Sequence, residues 1–357
     1  MPSVHVRVAT GLLGVVTVLI GVAAVIPPPN PAAPPLAMPD RTIVLPGGGR
    51  PLDLDDMIYF QQLGRVVVPG AQAGNLDFID PATGEVSAVR IVKPSDSEEG
   101  GVASAALAGD FLFTADATAR EIAIVDLSSK SVVGRTKMAG KADYLRHVAT
   151  TDEIWVTEPR EAGRIEIFAI ARGKQIHLVQ TQTISMPGGP ESLVFDEANG
   201  HAFTNTFGDK TMMIEINSRS VAETWSNGCG EYTRMARGAR GLAFDAGAHI
   251  LYVACMQGKV IGLDVRNHGK VVSTTEVSPS VDIIAFNAKT HHLFAPSTKK
   301  GILTVFETDA KGALKQIAQY QTAQGSHCVV SNDADRVYVC DPTHGQVFEI
   351  SDPPAHQ

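Results

Sequence analysis

Seven polar residues recur at one point of a repeating pattern: Asp56 in DMIYF, Ser104 in SAALA, Arg146 in RHVAT, Glu191 in ESLVF, Arg240 in RGLAF, Asp282 in DIIAF and His327 in HCVVS. Each opens a short apolar run. If the repeat winds around an axis, the seven side chains meet. Asp56, Glu191, Asp282 and His327 would then form a donor set for a divalent cation, calcium or another. Arg146 and Arg240, with Ser104, would grip a carboxylate or phosphate on a ligand. His327 and Glu191 make an acid–base pair, able to exchange protons with a substrate or to act on a metal-bound water. A plainer reading fits the same positions: strands starting at a wet channel mouth tolerate any polar residue, and opposite charges there only neutralise one another. In the second and third copies the alignment is open by a residue or more. Asp143, Tyr144 and His147 therefore stand as alternates to Arg146, with Tyr144 a further candidate ligand contact.

The elements that would position these residues are short strands. Between Pro187 and Trp225 the runs Glu191–Phe195, His201–Asn205, Met212–Ile216 and Ser220–Trp225 are separated by polar turns, and each is too short for a helix. The unit repeats. The third run of each copy ends at Asp80, Asp126, Ala169, Glu215, Asp264, Glu307 and Glu349, at separations of 42 to 49 residues. Second runs recur as RVVVPG, DFLFTAD, EIWVTE, HAFTN, ILYVAC, HLFAPS and RVYVCD. Four strands per copy at this period mark propeller blades. The expected fold is all-β, a seven-bladed propeller of four-stranded antiparallel blades. Near-continuous apolar runs fit blades that pack on both faces. A β-sandwich with accidental periodicity is the competing architecture, and seven copies in register count against it. The last copy supplies only His327–Ser331, Arg336–Asp341 and Gln346–Ile350. Its missing fourth strand is expected from Thr42–Leu45, which would close the ring and leave no open edge there.

LYVAC and VYVCD, each followed by a turn and then IGLDV or VFEI, resemble the YVTN-type repeats of the YncE-like propellers. That group in turn resembles the propeller subunit of quinoprotein amine dehydrogenases. The likeness spans residues 42–351 and implies the fold. It leaves the activity open, because such propellers host unrelated functions. By resemblance alone, one reading is the propeller subunit of a redox enzyme whose tryptophan tryptophylquinone belongs to another subunit.

The chain has 357 residues, 44% hydrophobic and 19% charged, enough for one large core. A net charge of −8 without a basic tract excludes nucleic acid as the main partner. Residues 1–26 read as a targeting segment: an uncharged run from Val8 to Ile26 follows His5 and Arg7. It is either a signal peptide cleaved after Ala24 or an uncleaved membrane anchor. Residues 27–40 form a proline-rich, extended spacer, 41–351 the propeller and 352–357 a tail. This places the propeller in the periplasm or outside the cell, tethered to the inner membrane if the segment stays. Cys328 and Cys340 flank the turn at Asn332–Asp335 as directly opposed residues, close enough for a disulfide if the pair is not hydrogen-bonded. Cys229 could then reach Cys255. The alternative is four free thiols. No Cys-x-x-Cys or Gly-x-Ser-x-Gly motif occurs.

Two function classes follow. One is a monomeric propeller that binds a small molecule or a protein at its polar channel mouth. The other is a metal-dependent lactone or ester hydrolase with the metal in the central channel.

Overall fold

The turn-bounded apolar runs form strands, and within each repeat the strands pair in sequence order. The computed structural model describes residues 34–97, 100–159, 162–231 and 238–355. Seven antiparallel sheets follow one another along the chain. Blade one runs from Ile58–Phe60 to Val86–Arg90, blade two from Val102–Ala108 to Ser131–Lys137, and blade three from Leu145–Val148 to Ile176–Ser185. Blade four runs from Glu191–Asp196 to Ser220–Ser226, blade five from Ala239–Asp245 to Lys270–Glu276, and blade six from Ala285–Asn287 to Leu314–Gln321. Blade seven contributes Val329–Ser331, Arg336–Asp341 and Gln346–Ser351.

Local chemistry sets the turns. Where the third strand ends in aspartate, in three of the seven copies, the carboxylate caps the turn into the fourth. Asp80 accepts the Ala82 N–H at 2.8 Å, Asp126 the Ser128 N–H at 2.7 Å and Asp264 the Arg266 N–H at 3.0 Å. Burial follows the strand's place in the blade. The second strands Glu153–Glu158, Ile250–Cys255 and His292–Ser297 are buried along their whole length, whereas the outer strand Ser131–Lys137 alternates between exposed and half-buried. A strand flanked by blades on both faces reads as a continuous apolar run, and an outer strand carries the polar alternation. Aromatic contacts tie neighbours together, as where Trp155 of blade three meets Phe195 of blade four edge-on at 5.7 Å.

The ring closes as the sequence leads one to expect. Arg41–Val44 pairs antiparallel with Gln346–Ser351, in the register Arg41 to Glu349 and Val44 to Gln346, and becomes the outer strand of blade seven. Leu36–Ala37 adds a further strand, parallel to Leu314–Gln321, so blade six has five. This end of the expected spacer is therefore bound along an outer strand's free edge rather than extended in solvent. Residues 1–33, with the expected targeting segment, lie outside the described residues. The expected tail also starts with an anchored residue. The buried Asp352 carboxylate accepts hydrogen bonds from Asn287 at 2.9 Å and Thr290 at 2.8 Å, and it pairs with His292 Nδ1 at 2.6 Å.

One side chain of the closing strand Arg41–Val44 is buried. Ile43 is 4% exposed on the closing strand, while its neighbour Val44 is 60% exposed. Ile43→Ala is expected to lower unfolding stability by about 2–3 kcal/mol, and Val44→Ala by less than about 0.5 kcal/mol, in paired denaturant titrations.

Candidate functional site at the channel mouth

Backbone and side-chain bonds near the start of each blade bring the opening residues toward one another. The Gly241 N–H donates to the Asp282 carbonyl at 3.1 Å, and the Ile283 N–H to the His327 carbonyl at 3.1 Å. A Cβ on Gly241 would stand 2.6 Å from the Asp282 oxygen, so this approach of blades five and six requires glycine. Asn205 donates to the Arg240 carbonyl at 2.7 Å, and the Leu242 N–H donates to Ser192 Oγ at 3.1 Å, linking blades four and five. Glu191 is paired opposite Asn205, and a β-bulge interrupts the register between it and Val194, with Ser192 at φ 65°.

The seven expected positions divide into two groups. Glu191, Arg240, Asp282 and His327 line a cavity of ≈ 720 Å³ together with Tyr144, Asp143, Asp53 and Asp55. Asp56, Ser104 and Arg146 instead form a triad that links blades one, two and three. The Arg146 guanidinium donates to both Asp56 oxygens, at 2.5 and 2.8 Å, and Ser104 Oγ donates to Asp56 at 2.5 Å. The Leu145 N–H donates to Ser104 Oγ at 2.8 Å. This is a bidentate charge pair in a buried place, so its partners hold one another in position. Arg146 also sits over the Tyr144 ring, 5.0 Å from its centre. The open alignment of the third copy thus resolves into two roles: Arg146 goes deep, and Asp143 and Tyr144 face the cavity. His147 pairs with Asp152 at 3.2 Å, at the hairpin end of its strand.

Asp53 and Asp55 are additions to the ring expected from sequence. Leu52, Leu54 and Asp56 are buried, whereas Asp53 is exposed and Asp55 partly so. The alternation of Leu52-Asp53-Leu54-Asp55 carries that signal, because successive side chains of an extended segment point to opposite sides.

Charges of both signs line the cavity: Arg120, Lys141 and Arg164 as well as Arg240 and His327 stand among its five carboxylic side chains. Arg240 Nη1 lies 3.6 Å from Glu191 and its guanidinium covers the Phe207 ring at 4.7 Å. His327 Nε2 lies 3.6 Å from Asp55, and its Nδ1 is 2.7 Å from the Gly325 carbonyl. Burial acts to lower the His327 pKa, but Asp55, Asp282 and that carbonyl outweigh it and hold it at about 9. Burial pushes Glu191 well above the usual carboxylate range, and Asp143, Asp282 and Asp55 add to this against the pull of Arg240. Burial and the surrounding carboxylates, Asp55 first among them, likewise keep the Tyr144 hydroxyl protonated. Among the described residues, neither the Glu191 carboxyl nor the Tyr144 hydroxyl makes a hydrogen bond, although the two residues are only 8% and 4% exposed.

The four expected metal ligands do not come together as a set. Both Asp56 oxygens are taken by Arg146 and Ser104, and His327 is drawn to Asp55. Among the described residues, no three of His, Cys, Asp and Glu stand as a metal-holding group.

Both disulfides are formed, Cys229 to Cys255 and Cys328 to Cys340, with Cα separations of 5.3 and 5.5 Å. Cys328 and Cys340 are directly opposed, but at a hydrogen-bonded position, since the Cys340 N–H donates to the Cys328 carbonyl at 3.1 Å. The non-hydrogen-bonded geometry expected from sequence is corrected here; the wider pair is also within disulfide reach. Each bond lies next to a cavity-lining residue, Met256 after Cys255 and His327 before Cys328.

No family model matches the chain, and no curated protein matches its sequence. Solved structures do match. A chain of the mitotic checkpoint complex aligns at TM-score 0.70 and 13% identity, covering 95% of this chain and 99% of that one. A chain of Kuenenia stuttgartiensis hydrazine synthase aligns at TM-score 0.67 and 15% identity, covering 86% and 96%. The Swd1 β-propeller domain of Myceliophteria thermophila aligns at TM-score 0.66 and 12% identity, covering 88% and 99%. At these identities the likeness establishes the fold alone, the seven-bladed propeller.

Two outcomes follow from the site. A histidine whose pKa is raised on folding contributes stability that is full below its unfolded pKa and is lost as pH rises through its folded one. The unfolding stability of the wild type should therefore exceed that of His327→Gln by about 1–3 kcal/mol near about pH 6. The gap should shrink toward about pH 9, as read from denaturant titrations at each pH. Separately, the double variant Cys328→Ala/Cys340→Ala should lose about 2–3 kcal/mol of unfolding stability in non-reducing buffer, as read from denaturant titrations.

Proposed function

We propose that this protein is an extracytoplasmic propeller that binds a small polar ligand in the cavity at its channel mouth. One observation carries the reading: Glu191 and Tyr144 are both more than nine-tenths buried, both face the cavity, and both lack hydrogen bonds among the described residues. Glu191 keeps only a 3.6 Å ion pair with Arg240, so a ligand's polar atoms would add hydrogen bonds that the Glu191 carboxyl and the Tyr144 hydroxyl do not make within the protein. The cavity volume falls in the range of small-molecule sites, about 300–1,000 Å³. The two disulfides fit an oxidising compartment, in keeping with the N-terminal targeting pattern.

The hydrolase reading has less support. It needs a base at the mouth near neutral pH, and His327 there carries its proton while Glu191 is held toward its neutral form. Those two groups suit recognition, His327 as a cationic donor and Glu191 as a carboxyl group facing the cavity.

Thermal-shift screening against a panel of amines, carboxylates, neutral amides and sugars tests the proposal. At least one class should raise the melting midpoint by several degrees, and Glu191→Leu should abolish that rise. A panel that leaves the midpoint unmoved, or a rise that Glu191→Leu leaves intact, contradicts it.

A further inference from the structure

Blade one meets the ring-closing segment along a seam. The Asn75 amide donates to the Pro46 carbonyl at 3.4 Å, and a Cβ on Gly47 would stand 2.9 Å from that of Ala73. Side chains along Asn75–Ile79 alternate between the two faces of the blade. Leu76 packs in an apolar cluster with Val102 and Ala105 of blade two, whereas Ile79 packs in the cluster that holds Leu45, Leu52 and Val347. Asp77 shares the face of Asn75 and Ile79, so it is turned toward the seam.

This carboxyl group has no place in the cavity and no hydrogen-bonded partner. Asp77 is 0% exposed, and neither of its oxygens makes a hydrogen bond among the described residues. Loop backbone lies directly over it: a Cβ on Gly70 would stand 3.0 Å from its Oδ2. Arg90, on the adjoining strand of blade one, is the charged group whose field acts on it, yet Arg90 donates to the Ala73 carbonyl instead. Across the seam the charged groups are paired elsewhere. Arg41 lies 3.8 Å from Glu349, Arg50 3.9 Å from Asp96 and His344 2.8 Å from Asp341. Burial pushes the Asp77 carboxyl up to about 7, against the pull of Arg90. A buried carboxyl without partners is tolerated while neutral and costly once ionised.

We propose that Asp77 is a proton-operated latch: while it keeps its proton, blade one stays packed against the closing segment, and loss of that proton loosens the seam. Opening the seam admits water and returns the group toward its ordinary value of 3.8. The closed form holds the proton more tightly. Its extra stability is therefore full below 3.8 and is lost as pH rises through about 7. The closing segment leads on to Asp55, so loosening reaches the channel mouth. The latch stands whether or not the cavity binds a ligand.

Hydrogen–deuterium exchange on the full chain, corrected for the intrinsic pH dependence of amide exchange, tests this between about pH 4.5 and about pH 6.5. Protection of residues 41–54 should fall with pH in the wild type, and that fall should exceed the one in Asp77→Asn at least about tenfold. Glu191, Glu349 and His327 also hold protons more tightly in the folded chain, but they are present in both proteins, so their effect cancels in the comparison. Asp77→Leu should match Asp77→Asn, which guards against an amide that disturbs the seam for its own reasons. Residues 201–216 of blade four should show no such difference between wild type and variants. Protection of residues 41–54 that is flat in the wild type, an equal fall in wild type and variants, or a difference as large over residues 201–216 overturns the latch.

Discussion

The ladder between Arg41–Val44 and Gln346–Ser351 is the constraint on which the site rests. It joins the two ends of the propeller, and the segment that follows it carries Asp55 to within 3.6 Å of His327. These two residues are 272 positions apart in sequence and meet only because the ring is closed. Without the closing strand, blade seven would keep three strands and expose an unpaired edge, and the connector with Asp53 and Asp55 would lose its anchor.

Closure turns a one-dimensional repeat into a set of converging positions. Each blade contributes one or two groups near its start, and bonds between neighbouring blades set how close they come. The glycine at 241 lets blades five and six approach, and Ser192, in the bulge after Glu191, accepts from Leu242 of the next blade. The Asp56–Ser104–Arg146 triad then fixes blades one to three beneath the cavity. The resulting division is physical: charges with full sets of partners are structural, while Glu191 and Tyr144 stand at the cavity with hydrogen-bonding capacity unused.

The repeat made the fold legible, because blade strands are buried on both faces and their turns are capped by recurring acids such as Asp80, Asp126 and Asp264. The closing strand was legible too, since a three-stranded last copy and a spare apolar run at the other end need each other. The site was legible only in part. Alignment locates a residue along its strand, which is how Glu191, Arg240, Asp282 and His327 were found. It does not say which way the side chain turns, so Asp56, Ser104 and Arg146 looked equivalent to them. Asp53 and Asp55 lie in a connector outside the repeat, and only their alternation with Leu52 and Leu54 hinted at their direction. The clip formed by Leu36–Ala37 has no sequence signal, because a parallel pair at an open edge is held through backbone atoms.

The central claim is that ring closure gathers charges from several blades around one buried carboxyl group. Carbon-13 NMR of the glutamate side-chain carboxyls, with the Glu191 signal assigned by comparison with Glu191→Gln, measures that directly. The account predicts that Glu191 in the free protein titrates well above the ordinary glutamate value of about 4.3. Titration at or below that value would mean that Glu191 is not both buried and surrounded by Asp143, Asp282 and Asp55, and would contradict the account.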